Sequence, residues 1–248
     1  MARITVLIHP QGNSEGSLRE SIDEFRPNMV FLISNPDANR AKLVLQYIQE
    51  KNNSRLGKWV NDIEHSEIIG IENAFSEDTV LQMVGAVMKA KEKAREIAGN
   101  DVPEFHVGLA GGTKLMVIGA AIAAIEAGAE STYYVNEDSV GQPGGVIQID
   151  FISDLTKSLA WLRGHYKNRK NLVYLEEVIK RERESALTTS RSISETVGLS
   201  ERSVRNAMQQ LKLHGLINFN SKARPQEYSS TDLGKFVLGL IGTPEGDE

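Results

Sequence analysis

Residues 104–127 read EFHVGLAGGTKLMVIGAAIAAIEA and hold three patterns in succession. A short apolar run, Phe105 to Leu109, has the length of a strand and leads directly into a pair of glycines. Leu115 to Ala127 then has helical character and ends at Gly128, a typical C-cap residue. A strand, a glycine turn and a helix N-terminus form a common anion site, because glycines admit a ligand close to the backbone and the first helical amides point at it.

Two side chains add chemistry to this turn. Thr113 can cap the helix or offer its hydroxyl, and Lys114 brings a positive charge. The spacing differs from a Walker A loop, in which Gly-Lys-Ser/Thr follows four spacer residues, and from Gly-x-Gly-x-x-Gly. A tight strand-to-helix turn with an exposed lysine is the alternative interpretation of the same residues.

Strand-like apolar runs alternate with helical stretches through the first 150 residues. The predicted strands cover residues 3–9, 29–33, 67–71, 105–109 and 131–136, and 146–151 alternates like an antiparallel edge strand. Continuous apolar runs are typical of buried parallel strands. The pattern predicts an α/β fold with a doubly wound, mostly parallel, Rossmann-like sheet and a closing hairpin, followed by a small winged-helix domain.

Polar loops follow three of the predicted strands. In doubly wound sheets ligands bind at the carboxyl ends of the strands, near a switch in strand order. Amides, hydroxyls and one lysine, with few carboxylates, favour phosphates. The predicted ligand-binding residues are His9, Pro10, Gln11, Gly12, Asn13, Ser14, Ser34, Asn35, Gly111, Gly112, Thr113 and Lys114. The alternative is that glycines and asparagines merely form turns here.

The composition excludes several classes of protein. The chain has 248 residues, a net charge of −5 and no cysteine, which excludes a disulfide framework and thiolate chemistry. The N-terminus lacks a signal-peptide layout, and the apolar run 115–127 is shorter than the about 20 residues that span a bilayer. The five histidines show no metal-ligand spacing. We expect a cytoplasmic protein with no membrane partner, no metal and no cofactor.

The net charge conceals an asymmetry between the two parts of the chain. Residues 1–164 carry 15 Lys and Arg against 22 Asp and Glu, which is −7. Residues 165–248 carry 13 against 11, which is +2, and three of those acids lie in the tail 244–248. An acidic first domain and a basic second one favour a nucleic-acid contact in the second.

The second part contains a helix-turn-helix pattern. Ile193 and Val197 would anchor the first helix, Gly198 would make the turn, Leu199 would plug it and Ser200 would cap the second helix. A two-stranded wing with a basic tip follows. The predicted DNA-binding residues are Ser200, Arg202, Ser203, Arg205, Asn206, Gln209, Lys222 and Arg224. A winged helix used only for protein contacts is the alternative.

These patterns give the predicted domain bounds. A ligand-binding domain covers residues 1–152, a helical linker 153–170, a winged helix-turn-helix DNA-binding domain 171–243 and an acidic tail 244–248.

The chain as a whole resembles the CRISPR-associated Rossmann-fold (CARF) regulators, in which a CARF domain precedes a winged helix. The likeness is carried by the turn Gly111 to Lys114, the loop His9 to Ser14, the hairpin strand 146–151 and the C-terminal pattern. It implies a transcription regulator of a CRISPR-Cas antiviral system. It further implies a homodimer whose two CARF domains bind one cyclic oligoadenylate across a two-fold axis. Gly112, Thr113 and Lys114 would then hold phosphates and ribose, and cyclic tetra-adenylate matches the two-fold symmetry.

Two other functions stay open. The first is a metal-independent ring nuclease, in which a ribose 2′-hydroxyl attacks and Lys114 and Thr113 stabilise the charge. His9 is then a possible proton carrier, although a strand-end histidine bonded to backbone is the favoured interpretation. The second is a metabolite-sensing repressor unrelated to CRISPR. No catalytic residue is assigned.

The predicted helix 115–127 also bears on assembly. It is apolar on nearly all sides, whereas a sheet covers only one side of a surface helix. We therefore expect an obligate dimer in which a twin helix packs against the small residues Gly119, Ala120, Ala123 and Ala124.

Overall fold

The computed structural model describes residues 2–12, 15–35, 37–136, 138, 145–164, 166–220, 223 and 225–242, with the backbone alone at 166, 167 and 169. The chain divides into two compact units, Met1–Ser153 and Asp154–Glu248. The domain bounds 1–152, 153–170, 171–243 and 244–248 stay predictions. Within the described ranges, no helix combines the length and the apolar character that crossing a membrane requires.

The first unit is a sheet with helices on both faces. Its strands are β1 (Arg3–Pro10), β2 (Met29–Ser34), β3 (His65–Gly70), β4 (Val102–Gly108), β5 (Ser131–Val135) and β6 (Val146–Gln148). Its helices are α1 (Gly16–Phe25), α2 (Asn39–Gln49), α3 (Asn53–Leu56), α4 (Thr79–Ala98) and α5 (Lys114–Ala127), with a 3-10 turn at Lys58–Asp62. Helix α6 (Asp150–Gly164) begins in this unit and continues into the next.

The strand order is β3-β2-β1-β4-β5-β6. Strands β1 to β5 run parallel, and β6 pairs antiparallel with β5. Chain order reverses direction between β1 and β4, which makes their carboxyl ends the topological switch point. The predicted α/β class, with its Rossmann-like sheet and closing hairpin, is confirmed.

The last strand is shorter than predicted. It ends at Gln148, and Phe151 lies in α6. The period-2 alternation over 146–151 was misleading because Leu155, Leu159 and Leu162, buried at helical spacing, extend the helix back to Asp150. An acidic residue in a first turn also favours a helix N-terminus at that point.

Apolar side chains fill both faces of the sheet. Val6 and Ile8 of β1 face one core with α4 and α5, whereas Leu7 faces the other with α1 and α2. All three side chains are fully buried. This explains the continuous apolar runs in the central strands.

Helix α5 packs its small residues inward, against α4. A β-carbon at Gly119 would lie 2.5 Å from Met83 Cβ and 2.8 Å from the Val80 carbonyl oxygen. The four small residues expected to meet a twin helix are therefore buried within the chain, and that assignment of the helix face is wrong: Gly119, Ala120, Ala123 and Ala124. The outer face carries Ile118 and Ile122 instead, with exposed fractions of 50% and 46%.

The second unit combines helices with a two-stranded hairpin. After α6 come α7 (Tyr166–Arg183), α8 (Ser190–Val197), α9 (Glu201–Leu213), β7 (Ile217–Asn220), β8 (Glu227–Ser230) and α10 (Asp232–Ile241). Strands β7 and β8 pair antiparallel. The order of two helices, hairpin and closing helix is the one that the sequence predicted.

The turn between α8 and α9 follows the prediction in part. Gly198 adopts φ 72° and Ser200 Oγ accepts the Ser203 amide at 3.2 Å, as expected. Leu199 is 48% exposed, so its predicted role as a plug is wrong. The Ser194 hydroxyl donates to the Leu199 carbonyl and closes the turn without the leucine side chain.

Candidate functional site

The loops that follow β1 and β4 touch each other at the switch point. A β-carbon at Gly12 would lie 1.7 Å from the Gly111 carbonyl oxygen, so only glycine fits. Gly111 has φ +91°, and a β-carbon there would lie 2.5 Å from the Pro10 carbonyl oxygen. The two loops predicted to converge therefore meet backbone to backbone.

A buried polar network lies beneath this contact. His9 Nδ1 is 3.1 Å from the Tyr133 hydroxyl, and His9 Nε2 is 3.3 Å from Ser17 Oγ. All three side chains are fully buried. A β-carbon at Gly111 would lie 2.9 Å from His9 Nε2 and 3.1 Å from Ser17 Oγ, so the network and the glycine turn are in contact.

The same burial determines the charge of the network. Desolvation lowers the pKa of His9 to about 3 and raises the pKa of Tyr133 well above its usual range. Both groups are therefore neutral at physiological pH. His9 was predicted to bind ligand, but its ring has no exposed surface and both nitrogens bond to side chains. His9 therefore packs against the glycine turn at Gly111 from the interior of the unit.

Three further predicted ligand residues form the floor of this edge. Pro10, Gln11 and Ser34 are buried. The Gln11 amide nitrogen of the backbone donates to the Ile33 carbonyl at 2.8 Å, and Gln11 Nε2 donates to the Gly12 carbonyl at 2.9 Å. All three side chains are withdrawn from solvent, and the two hydrogen bonds of Gln11 hold the β1 loop in place.

Asn35 and Thr113 tie the predicted site to the loop that joins β3 to α4, residues 71–78. Asn35 Nδ2 donates to the Glu72 carbonyl at 3.0 Å, and Thr113 Oγ1 donates to the Ala74 carbonyl at 2.8 Å. Thr113 Oγ1 also accepts the Met116 amide at 3.3 Å, which makes it the N-cap of α5. Both hydrogen bonds of the Thr113 hydroxyl are therefore structural: one caps α5, and the other holds the loop of residues 71–78.

Three glycines and Lys114 reach the surface at this edge. Lys114 is the first residue of α5 and is exposed, and Gly12, Gly111 and Gly112 are partly exposed. The Val117 amide bonds to the Thr113 carbonyl. In the part of the chain that the structure describes, the amides of Lys114 and Leu115 have no protein acceptor.

This arrangement suits an anion. Free amides at a helix N-terminus and the lysine charge both favour a phosphate. Among the described residues, no three His, Cys, Asp or Glu side chains form a group that could hold a metal ion. Asn13 and Ser14, which were also predicted to bind ligand, lie outside the described residues.

The sequence analysis missed one cation at the same edge. Arg40 lies in the first turn of α2, and its Nη2 is 2.7 Å from Glu15 Oε1 on the β1 loop. The position of Arg40 in the sequence could have revealed it, since the first helical turn after β2 must lie at the carboxyl edge of the sheet.

In the second unit, α9 presents the predicted polar face. Its inner side chains Val204, Met208 and Leu211 are buried, as predicted. All the predicted α9 residues lie on the exposed side: Ser200, Arg202, Ser203, Arg205, Asn206 and Gln209. Arg205 Nη2 forms an ion pair with Glu201 Oε2 at 2.7 Å. Lys222 and Arg224 lie outside the described residues.

A cleft of about 710 Å³ lies beside this helix, between α8, α9 and β8. Its polar lining includes Arg191, Glu195, Glu201, Arg205 and Gln226. No switch-point residue lines it, so it is a feature of the second unit alone. The candidate anion site of the first unit is formed by the amides at the start of α5 and by Lys114.

The comparisons with known proteins find distant structures only. No protein-family model matches the chain, and no curated protein matches its sequence. Csm6 of Enterococcus italicus, bound to cyclic hexa-2′-fluoro-hexa-dAMP, is similar at 12% identity and a TM-score of 0.49 over 86% of this chain and 52% of that one. Can2 from Sulfobacillus thermosulfidooxidans, in complex with cyclic tetra-adenylate, is similar at 11% identity and a TM-score of 0.36 over 95% and 64%.

A type III CRISPR defence DNA nuclease activated by cyclic oligoadenylate is similar at 14% identity and a TM-score of 0.42 over 60% of this chain and 20% of that one. This chain thus spans less than two thirds of each of the three proteins. With TM-scores below 0.5, these likenesses carry no functional conclusion for this chain. Its fold class rests on its own strand order.

Proposed function

We propose that this protein is a ligand-responsive DNA-binding transcription regulator. Its first unit would bind a cyclic oligoadenylate second messenger, and its second unit would bind duplex DNA. One observation carries the ligand site: beside the glycine contact at the switch point, Lys114 is exposed and, among the described residues, the first two α5 amides have no protein acceptor. The class of ligand comes from the resemblance of the sequence to CARF regulators.

The site chemistry agrees with a nucleotide polyanion. Backbone amides bind phosphates without adding carboxylate charge, and Lys114 supplies a cation that forms no ion pair with the described residues. His9, Gln11 and Thr113 would contribute by holding the loops in position. Cyclic tetra-adenylate is the ligand proposed first.

We further propose that the protein acts as a homodimer. The outer face of α5 carries the exposed side chains of Ile118 and Ile122, and Ile118 is one helical turn from Lys114. A two-fold contact on this face would set two phosphate-binding turns beside each other. A ring with two-fold symmetry could then meet one Lys114 from each subunit.

In the second unit, α9 is the proposed recognition helix. Arg202 and Asn206 are exposed and suit phosphates and base edges. Ligand binding would regulate DNA binding if the ligand favoured one spacing of the two recognition helices. We also propose that the protein acts within a CRISPR-Cas antiviral system.

Cleavage of the ligand is a separate question. The ring-nuclease alternative assigned His9 as a possible proton carrier, but His9 is buried and neutral. Of the two side chains named to stabilise charge, Thr113 already donates to the Ala74 carbonyl and Lys114 is the one left exposed. Chromatography of cyclic tetra-adenylate after incubation with the protein tests this alternative directly, since an intact ring excludes cleavage under those conditions.

Calorimetry and gel shift test the main proposal. Cyclic tetra-adenylate, cyclic hexa-adenylate and a linear dinucleotide are titrated into the protein, and duplex binding is measured with and without the bound nucleotide. The proposal expects one cyclic ligand to bind best and to change the affinity for duplex. Binding of the dinucleotide alone would favour the metabolite-sensing repressor, and no duplex binding in either state would refute the regulator.

A further inference from the structure

The loop of residues 71–78 is fixed by hydrogen bonds along its length. The Phe75 amide donates to Asn73 Oδ1 at 2.8 Å, which closes a tight turn. Thr79 Oγ1, at the start of α4, lies 2.9 Å from the Asn73 carbonyl and 2.7 Å from the Ser76 carbonyl. At the other end of the loop, the Glu72 amide donates to Gln82 Oε1 at 2.8 Å.

This fixed loop presents a phenyl ring to solvent. Phe75 is 82% exposed, more than any other large apolar residue in the described part of the chain. A single exposed apolar residue is ordinary on a mobile surface. Here the backbone on both sides of the ring is anchored by hydrogen bonds, so a ligand would have to order the side chain alone and not the loop.

The loop that carries this ring is hydrogen-bonded to the proposed phosphate site. Thr113, the N-cap of α5, donates to the Ala74 carbonyl at 2.8 Å. Phe75 follows Ala74 by one peptide, which places their α-carbons about 3.8 Å apart. A nucleotide whose phosphate meets the amides of Lys114 and Leu115 would therefore lie close to a segment that carries an exposed aromatic side chain.

We propose that Phe75 is a base-stacking residue, on which an adenine of the bound nucleotide lies while its phosphate occupies the α5 N-terminus. The inference rests on the proposed nucleotide binding by the first unit and adds the subsite for the base. Aromatic side chains stack on bases in many nucleic-acid-binding proteins. Stacking tolerates any base, so Phe75 would add affinity and leave the choice of base to other groups.

Three substitutions in the full-length chain separate stacking from simple apolar contact. Phe75→Ala removes the ring, Phe75→Leu keeps an apolar side chain without an aromatic face, and Phe75→Trp keeps the face. Calorimetry with cyclic tetra-adenylate is expected to show an affinity loss on the order of 10-fold for Ala and Leu. The Trp variant should bind as well as the unmodified protein.

Fluorescence gives a second readout. The chain contains two tryptophans, Trp59 and Trp161, neither of which lies near the α5 N-terminus in sequence. Stacking of adenine on the new indole should quench emission in the Phe75→Trp protein when cyclic tetra-adenylate is added. The unmodified protein, titrated in parallel, should show a much smaller change.

Each result that would contradict base stacking by Phe75 points to a different explanation. Full affinity in Phe75→Leu would show that the contact is apolar and not aromatic, and full affinity in Phe75→Ala would remove the residue from the site. A Phe75→Ala protein that becomes monomeric in light scattering would assign the ring to a subunit contact. If the unmodified protein binds neither cyclic tetra-adenylate nor cyclic hexa-adenylate, the proposed function fails and the base subsite fails with it.

Discussion

The α-carbon of Gly12 packs against the carbonyl oxygen of Gly111, although 99 positions separate them in the chain. A β-carbon at Gly12 would lie 1.7 Å from that oxygen, well inside any allowed contact. The neighbouring atoms are backbone and cannot rotate away. The two loops of the switch point thus hold each other in position, and the proposed phosphate site depends on that contact.

Gly12→Ala should therefore damage both binding and stability. The added methyl must push the two loops apart, and overpacking of this kind typically costs about 1–3 kcal/mol. We expect a lower melting temperature and loss of cyclic tetra-adenylate binding, measured by calorimetry. Gly85→Ala is the matched control, since a β-carbon there meets nothing within 4 Å and alanine favours a helix by up to about 1 kcal/mol. A Gly12→Ala protein with full stability and affinity would contradict the loop contact.

Lys114→Ala should abolish nucleotide binding and leave the fold intact. The side chain is exposed at the start of α5, so we expect a change in the free energy of unfolding within about 0.5 kcal/mol. Calorimetry measures the affinity, and thermal unfolding checks the fold. Lys89→Ala, another exposed lysine in the first unit, is the control and should bind normally. Unchanged affinity in Lys114→Ala would remove the proposed site.

The two faces of α5 should respond differently to a new charge. Ile118→Glu is expected to split the proposed dimer into folded monomers, because it places a charge on the exposed face. Ala123→Glu is expected to unfold the first unit, because Ala123 is fully buried in the core shared with α4. Light scattering and circular dichroism distinguish the two outcomes. An Ile118→Glu protein that stays dimeric would place the subunit contact elsewhere.

Arg202→Ala and Arg205→Ala should weaken duplex binding and lower its salt dependence. Each lost phosphate contact is expected to reduce the slope of log affinity against log salt by about 1. Arg205 is paired with Glu201 at 2.7 Å, so Glu201→Gln should free the guanidinium and strengthen binding. Anisotropy with labelled duplex over a salt series provides the measurement. If none of the three changes alters any duplex affinity, the unit serves protein contacts instead.

His9 should stay neutral throughout the physiological range. Burial lowers its pKa from 6.5 to about 3, so between these values the unfolded chain binds a proton that the folded chain does not. Stability therefore falls as the pH drops below 6.5, and this residue should account for about 2 kcal/mol between pH 7 and pH 5. The ring resonances of His9 in NMR should not titrate above pH 5. A midpoint near 6.5 would show that the ring is exposed to solvent.

The order of elements in the first unit was predictable because buried parallel strands read as continuous apolar runs. The AGGTK segment and the polar loop after β1 then located the switch point. The sequence could not show which of the predicted ligand residues already have hydrogen-bond partners within the fold. His9 meets Tyr133 across 124 positions and Thr113 meets Ala74 across 39, and such partners are set only by the assembled sheet.

The pattern of apolar and polar residues could not predict which face of α5 points to the core. A helix that is apolar on nearly all sides gives no moment to orient it. The close approach to α4 at Gly119 favours small residues around it, and the larger Ile118 and Ile122 point outward. At Gly119 residue volume therefore contributed to the orientation, which a hydrophobicity pattern does not record.

The pairing of β1 with β4 also determines when the first unit can form during synthesis. Arg3 lies beside Val102, and the Ala2 amide bonds to the carboxylate of Asp101, 99 positions away. A ribosome that adds 5–20 residues each second leaves one edge of β1 unpaired for about 5–20 seconds. An unpaired apolar strand is prone to aggregate over that interval, so we expect nascent chains to need chaperones until residue 108 has emerged.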